Sequence, residues 1–293
     1  MAIPPVSVVL TTYNRATVLA QTIDSILAQT FSDFELLVAD NASTDSTQDV
    51  VRSYSRADPR VIYLRRGRNL GMPENLNRAL LVCRGEFIAN LHDGDIYAPE
   101  LLGCWLDALK ACPNAGFVFN AYEALAPSGE VLRTFREPLS LCNEGAVVLD
   151  IFFRRRHFDS PVWGTVMARR AAYDAVGLFD SRYGFVSDVD MWLRLAGQYH
   201  VAYVDRPLIG LPSKFILPHQ MTVERSVWRG IRRAFLEARL RRYRDYRVRL
   251  AVELARHYAY SIFSDIYDLL LAGRRRVLQK TGRRNDLSKD MAS

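Results

Sequence analysis

Val6-Ser7-Val8-Val9-Leu10-Thr11-Thr12-Tyr13-Asn14 decides the fold. A β-branched, apolar run that ends in a polar turn reads as a buried strand feeding a loop. From Ala16 to Gln29 the apolar positions Val18, Leu19, Ile23, Ile26 and Leu27 recur at helical spacing, and Phe34-Glu35-Leu36-Leu37-Val38-Ala39 then returns to strand character. That is one β-α-β unit, and the alternation repeats. Val50, Val51 and Tyr54 mark a second helix, with Ser43 and Thr44 placed to cap it, and a strand follows at Val61 to Leu64. Helices at Pro73 to Cys83 and Pro99 to Cys112 alternate with strands at Glu86 to Leu91 and Gly116 to Asn120. Strands separated by helices predict an α/β fold with a mostly parallel sheet flanked by helices. Beyond Asn120 the pattern loosens into a turn at Pro127-Ser128-Gly129, strands at Val162 to Ala168 and His200 to Val204, and helices at Arg169 to Val176 and Asp188 to Gln198.

The 293 residues suit one large domain or a core with an appendage, and 49% apolar against 24% charged residues is the balance of a globular protein. No stretch approaches the roughly 20 apolar residues of a membrane-spanning helix, and Met1-Ala2-Ile3-Pro4-Pro5 has neither the basic nor the apolar region of a signal peptide. A cytoplasmic protein is expected. Cys83, Cys104, Cys112 and Cys142 form no CxxC pair, so all four are expected to be reduced thiols. The net charge of +7 is unevenly placed: residues 1–224 carry 21 basic against 25 acidic groups, and residues 225–284 carry 17 against 5. Two jobs are implied, one for 1–223 and another for 224–293.

Ligands of open α/β sheets bind at the carboxyl ends of the strands. Three polar clusters end strands here: Thr11 to Arg15, Asp40 to Asp45, and His92-Asp93-Gly94-Asp95. Two carboxylates on one turn suit Mg²⁺ or Mn²⁺, which prefer oxygen ligands and complete their shell with substrate phosphates and water. A solvated turn is the bland alternative. Asp40 can accept hydrogen bonds from a nucleobase imide or a ribose hydroxyl, or it can serve as an N-cap for the next helix, a task for which Ser43 and Thr44 are already well placed. There is neither a GxxxxGK[ST] loop nor a GxGxxG before a helix, so nothing in the backbone announces a phosphate cradle.

Together, Val6 to Arg15, the Ala28-Gln29-Thr30 turn, Phe34 to Asp45, Asn69-Leu70-Gly71, Asp93-Gly94-Asp95, Gly177-Leu178-Phe179-Asp180 and Asp188 to Arg194 resemble family 2 glycosyltransferases of the GT-A fold. The resemblance spans roughly residues 3–223. It implies that Thr11, Tyr13 and Asp40 line a nucleoside pocket whose other wall is Asn69 and Gly71. It also implies that Asp93 lies near the ribose and metal, that Asp95 is the direct metal ligand, and that Asp188 is the general base of an inverting displacement. Trp163 and Asp190 are the acceptor-side candidates, although Arg194 stands at the spacing for an ion pair with Asp190. The chain departs from the family at Ser187, where many relatives have Glu, and at Leu217, with His219 two residues later.

The segment from Trp228 onward carries amphipathic stripes such as Leu250, Leu254, Tyr258, Ile262 and Ile266, with arginines between them. An anionic membrane surface at the cytoplasmic face could attract the arginines, or the apolar stripe could pack on the catalytic body or a second subunit while the arginines remain solvated. No nucleic-acid module is recognisable. The expected activity is metal-dependent sugar transfer from a UDP- or dTDP-sugar to a glycan or lipid-linked acceptor. The competing expectation is a catalytically silent nucleotide-sugar-binding protein on the same fold.

Overall fold

The computed structural model describes residues 3–154, 162 and 164–212. Trp163, Leu217, His219 and the whole basic segment, with the boundary at 223/224, lie outside the described residues. The first unit runs β1 (Val6–Thr12), α1 (Ala16–Leu27), β2 (Phe34–Asp40), α2 (Thr47–Ala57), β3 (Val61–Arg65), α3 (Met72–Leu80) and β4 (Phe87–His92). These are right where the apolar periodicity places them. Strands β3, β2, β1 and β4 lie side by side in that order, all parallel.

Nearly every residue of β1 and β2 is buried, as a parallel sheet covered on both faces requires. Val6, Val8, Leu10, Leu36 and Val38 join Leu19, Ile23 and Ile26 of α1 in one core. The alternate positions Val9 and Leu37 are equally buried on the face where α3 packs. Each such side chain withdrawn from water contributes roughly 1.5–3 kcal/mol. The strand ends are therefore fixed, and so are the loops that leave them.

The second half is β5 (Ile96–Tyr97), α4 (Leu101–Ala111), β6 (Ala115–Leu125), β7 (Val131–Phe135), β8 (Cys142–Asn143), α5 (Gly145–Arg154), β9 (Val166–Arg169), α6 (Arg170–Val176), a 3₁₀ turn over Ser181–Val186, α7 (Ser187–Ala196) and β10 (His200–Pro212). The sheet continues β4-β9-β6-β10-β5. Strand β9 runs antiparallel to both β4 and β6, so β6 and β10 keep the direction of the first half. Pro127-Ser128-Gly129 turns the β6–β7 hairpin, as its composition predicts.

Two expectations are corrected. Cys112 and Cys142 form a disulfide with Cα atoms 5.8 Å apart, leaving Cys83 and Cys104 as free thiols. The pair joins the end of α4 to β8, an encounter that a separation of 30 residues conceals in the sequence. The cap of α2 is likewise not Ser43 or Thr44 but Ser46, whose side chain makes no capping bond; Asp45 Oδ1 accepts the Thr47 N–H at 3.0 Å, and Ser43 and Thr44 are bonded to Asn14.

Candidate active site

The loops after β1 and β2 are stitched together. Asn14 donates its N–H to Ser43 Oγ (3.0 Å) and accepts the Thr44 N–H (2.8 Å), Arg15 donates to Thr47 Oγ1 (3.0 Å), and Ala16 donates to Asp45 Oδ2 (3.2 Å). Asn14 and Ala42 hold positive φ of 54° and 64°, and the bonds to Ser43 and Thr44 fix Asn14 in that conformation. Asp40, opposite Thr12 in the parallel register, is fully buried. Its Oδ1 accepts the Ser43 N–H at 2.8 Å, and its Oδ2 accepts the Tyr63 hydroxyl at 2.6 Å with Arg65 at 3.5 Å. Asp40 thus orders its own turn, and a carboxylate has about four acceptor sites, so capacity for one further donor remains.

Asn41 carries the order across to the next loop. It donates to Asn69 Oδ1 (2.8 Å) and accepts the Leu70 N–H (2.8 Å), while Gly71 donates its N–H to Asn69 (2.9 Å). Asn69 and Gly71 are exposed, as is Tyr13, and Thr11 is half-buried at the end of β1.

On the other side of β1, Thr11 stands opposite His92, and the Asp93-Gly94-Asp95 turn follows. Gly94 has φ +93°, a conformation that an L side chain rarely adopts. Thr22 on α1 pins the turn from beneath: its Oγ1 accepts the Gly94 N–H at 2.9 Å and donates to the Asp95 carbonyl at 2.9 Å. The Tyr97 hydroxyl spans the backbone of His92, accepting its N–H at 2.8 Å and donating to its carbonyl at 2.9 Å. Asp95 is buried, and Asp93 lies 3.7 Å from Arg15 Nε. Burial raises the Asp93 carboxyl above its ordinary range, against the opposing pull of the Thr12 hydroxyl and Arg15.

Among the described residues no three His, Cys, Asp or Glu side chains gather as a metal cage. Two carboxylates held on one glycine turn are nevertheless the donor set expected for a hard cation that takes its remaining oxygens from a diphosphate and water. The residues fit Mg²⁺ or Mn²⁺ and do not fit zinc.

Asp188 opens α7, with Oδ1 accepting the N–H of Val189 at 2.7 Å. Burial raises its pKa to about 6. Gly164 is the point of convergence. A methyl group there would sit 2.3 Å from His92 Cε1, 2.8 Å from His92 Nε2 and 2.8 Å from Asp188 Oδ2. The Gly164 carbonyl accepts Asn90 Nδ2 at 3.2 Å, next to the Asn90–Val166 pairing of β4 with β9. Asp188 is therefore brought to the same strand end as the Asp93 turn, although 93 residues of chain separate Asp188 from Asp95.

Asp190 is not aimed at this cleft. Its carboxylate pairs with Arg194 Nε at 2.7 Å, and the same guanidinium donates to the carbonyls of Val176, Gly177 and Leu178. That is the spacing-based ion pair, and its task is to hold the loop after α6. Asn77 assists by exchanging two hydrogen bonds with the Phe179 backbone, at 2.8 and 2.9 Å. Gly164 follows Trp163, the acceptor-side candidate, whereas His92 has no ligand spacing and reads from sequence as a structural or surface group. The one available signal was that His92 immediately precedes the paired acids at a strand end.

A parallel half-sheet with acids at the carboxyl ends of β2 and β4 is the open α/β class of fold, in which ligands sit at those ends. The sequence profile of glycosyl transferase family 2 matches residues 7–174, and the chain belongs to that family: it is a glycosyltransferase. It is 26% identical over 220 residues to an uncharacterized glycosyltransferase of Methanocaldococcus jannaschii, covering 74% of this chain and 72% of that one. It is 25% identical over 230 residues to the putative colanic acid biosynthesis glycosyl transferase WcaA of Escherichia coli, covering 72% and 78%. Staphylococcus aureus TarS in complex with UDP-GlcNAc shares the fold, with a TM-score of 0.66 over 86% of this chain and 71% of that one at 17% identity.

Proposed function

We propose that the chain transfers a sugar from a UDP- or dTDP-sugar to a hydroxyl of a glycan or lipid-linked acceptor, with inversion, in polysaccharide or cell-surface glycan synthesis. The observation that carries this reading is the approach of Asp188 Oδ2 and His92 to one side-chain-free point at Gly164, beside the turn that bears Asp93 and Asp95. The UDP-GlcNAc bound by TarS and the glycan pathway named for WcaA support the donor and acceptor classes.

In this reading Asp40, with Thr11, Tyr13, Asn69 and Gly71, holds the nucleoside. Asp95, with Asp93, would hold Mg²⁺ or Mn²⁺, which when bound neutralises charge on the departing diphosphate. Asp188 takes the proton from the acceptor hydroxyl as that oxygen attacks the anomeric carbon from the face opposite the leaving group. A carboxyl with a pKa near 6 is about nine-tenths ionised at pH 7 and is a stronger base than an ordinary aspartate. Positioned proton transfer contributes about 10² to 10⁴ in rate.

The test is UDP release from UDP-GlcNAc and a panel of other nucleotide sugars by the full chain with Mn²⁺ or Mg²⁺, with and without EDTA. Turnover that stops in EDTA and returns with metal is expected. Full activity in chelator would remove the cation, and nucleotide binding without turnover on any donor would remove the activity.

A further inference from the structure

The loop between β3 and α3 starts beside Asp40, whose carbonyl accepts the Arg66 N–H at 2.9 Å, and builds a second site whose lining includes none of Asp93, Asp95 and Asp188. Arg66, Arg68 and Arg78, with Gly67 and Leu70, line a depression of about 340 Å³, and no carboxylate is in its lining. The acid beside it, Glu74, is already paired with Arg78 at 2.9 Å. Arg66 is not a free surface arm: Nε donates to Asn75 Oδ1 at 2.9 Å and Nη2 to the Asn75 carbonyl at 3.4 Å, which fixes the guanidinium plane. Burial and then the neighbouring positive charge of Arg78 both act against the charge on Arg66, with Glu74 only partly compensating. Arg68 and Arg78 are exposed, while Arg66 is half-buried. Here one is clamped beside a second over a concave surface, where a tetrahedral oxyanion could accept from several N–H groups at once.

We propose that this depression is an anion site for a phosphate group, separate from the diphosphate position of the cleft. The same loop continues into Asn69, Leu70 and Gly71, which Asn41 ties to the end of β2, so an occupied site also braces the wall beside Asp40. The inference does not depend on the chain's donor or acceptor, because it concerns binding alone. The phosphate can be free in solution or can belong to a lipid headgroup.

The test uses the full chain labelled with ¹⁵N and titrated with inorganic phosphate, following the amides of Gly67, Arg68 and Leu70. Vesicle flotation on phosphatidylglycerol against phosphatidylcholine runs in parallel. The comparison proteins are the triple variant R66Q/R68Q/R78Q and the double variant R68Q/R78Q, which keeps the Arg66–Asn75 bonds and so guards against a folding defect. Saturable shifts at those amides that weaken at least tenfold in both variants, with vesicle retention unchanged, identify a soluble phosphate. Retention on phosphatidylglycerol that falls at least tenfold in both variants identifies a headgroup. If neither the shifts nor the retention differ between the variants and the parent chain, the site does not exist.

Discussion

Replacing Asp188 by asparagine isolates the free energy of holding that carboxylate in the cleft. Its pKa moves from 3.8 to about 6 because burial disfavours the charge, and the Val189 N–H offsets only part of that. At 1.36 kcal/mol per unit, a shift of about two units corresponds to at most about 3 kcal/mol. The sign follows from linkage: the folded-state pKa is raised, so this group's contribution to stability is full below about pH 4. It is lost as pH rises through 6 and stays constant above that. Asparagine carries no charge and keeps an oxygen for the Val189 N–H. D188N should therefore be more stable than the parent chain at pH 8, by up to about 3 kcal/mol or on the order of 6 °C in Tm. The two should coincide at pH 4. Paired thermal or urea denaturation across that range, without metal or nucleotide, is the assay. A variant less stable at pH 8, or a difference that ignores pH, would refute the burial argument.

Three further outcomes follow from the same geometry. Gly164→Ala should keep the fold while lowering transfer by about 100-fold, because a methyl 2.3 Å from His92 Cε1 forces the His92 and Asp188 side chains apart; circular dichroism alongside turnover checks this, and full activity would contradict it. Gly94→Ala should cost about 1–2 kcal/mol from its φ of +93° and raise the Mn²⁺ concentration needed for half-maximal turnover; an unaltered metal requirement would free the turn from that role. Reducing the Cys112–Cys142 bond, or replacing both residues by alanine, should cost about 3–4 kcal/mol by the chain-entropy relation for a 30-residue separation, so denaturation midpoints should fall in dithiothreitol.

The parallel half of the fold was legible because β1 to β4 and their helices are short, local and strongly periodic. The placement of Asp40 at the end of β2 and of Asp93 and Asp95 on the turn after β4 was legible for the same reason, since apolar runs announce both strands. What sequence hid is long-range. Strand β9 inserts antiparallel between β4 and β6, and no local pattern states that. The disulfide is hidden in the same way. The cap of α2 falls on Ser46 rather than on Ser43 or Thr44, both of which bond to Asn14 of the neighbouring loop, a contact between segments. His92 gave no ligand spacing, and only the fold shows it meeting Gly164 and Asp188. The spacing rule did separate Asp190 from Asp188, since Arg194 sits four residues on and takes the Asp190 carboxylate.

The pH dependence of transfer should rise through about pH 6 as Asp188 ionises and level off above it. The most direct trial of the central claim compares D188N with the parent chain in two measurements on one preparation, sugar transfer and UDP affinity. The account predicts transfer reduced at least a hundredfold with the UDP dissociation constant within about threefold of the parent. Undiminished transfer by D188N would contradict it.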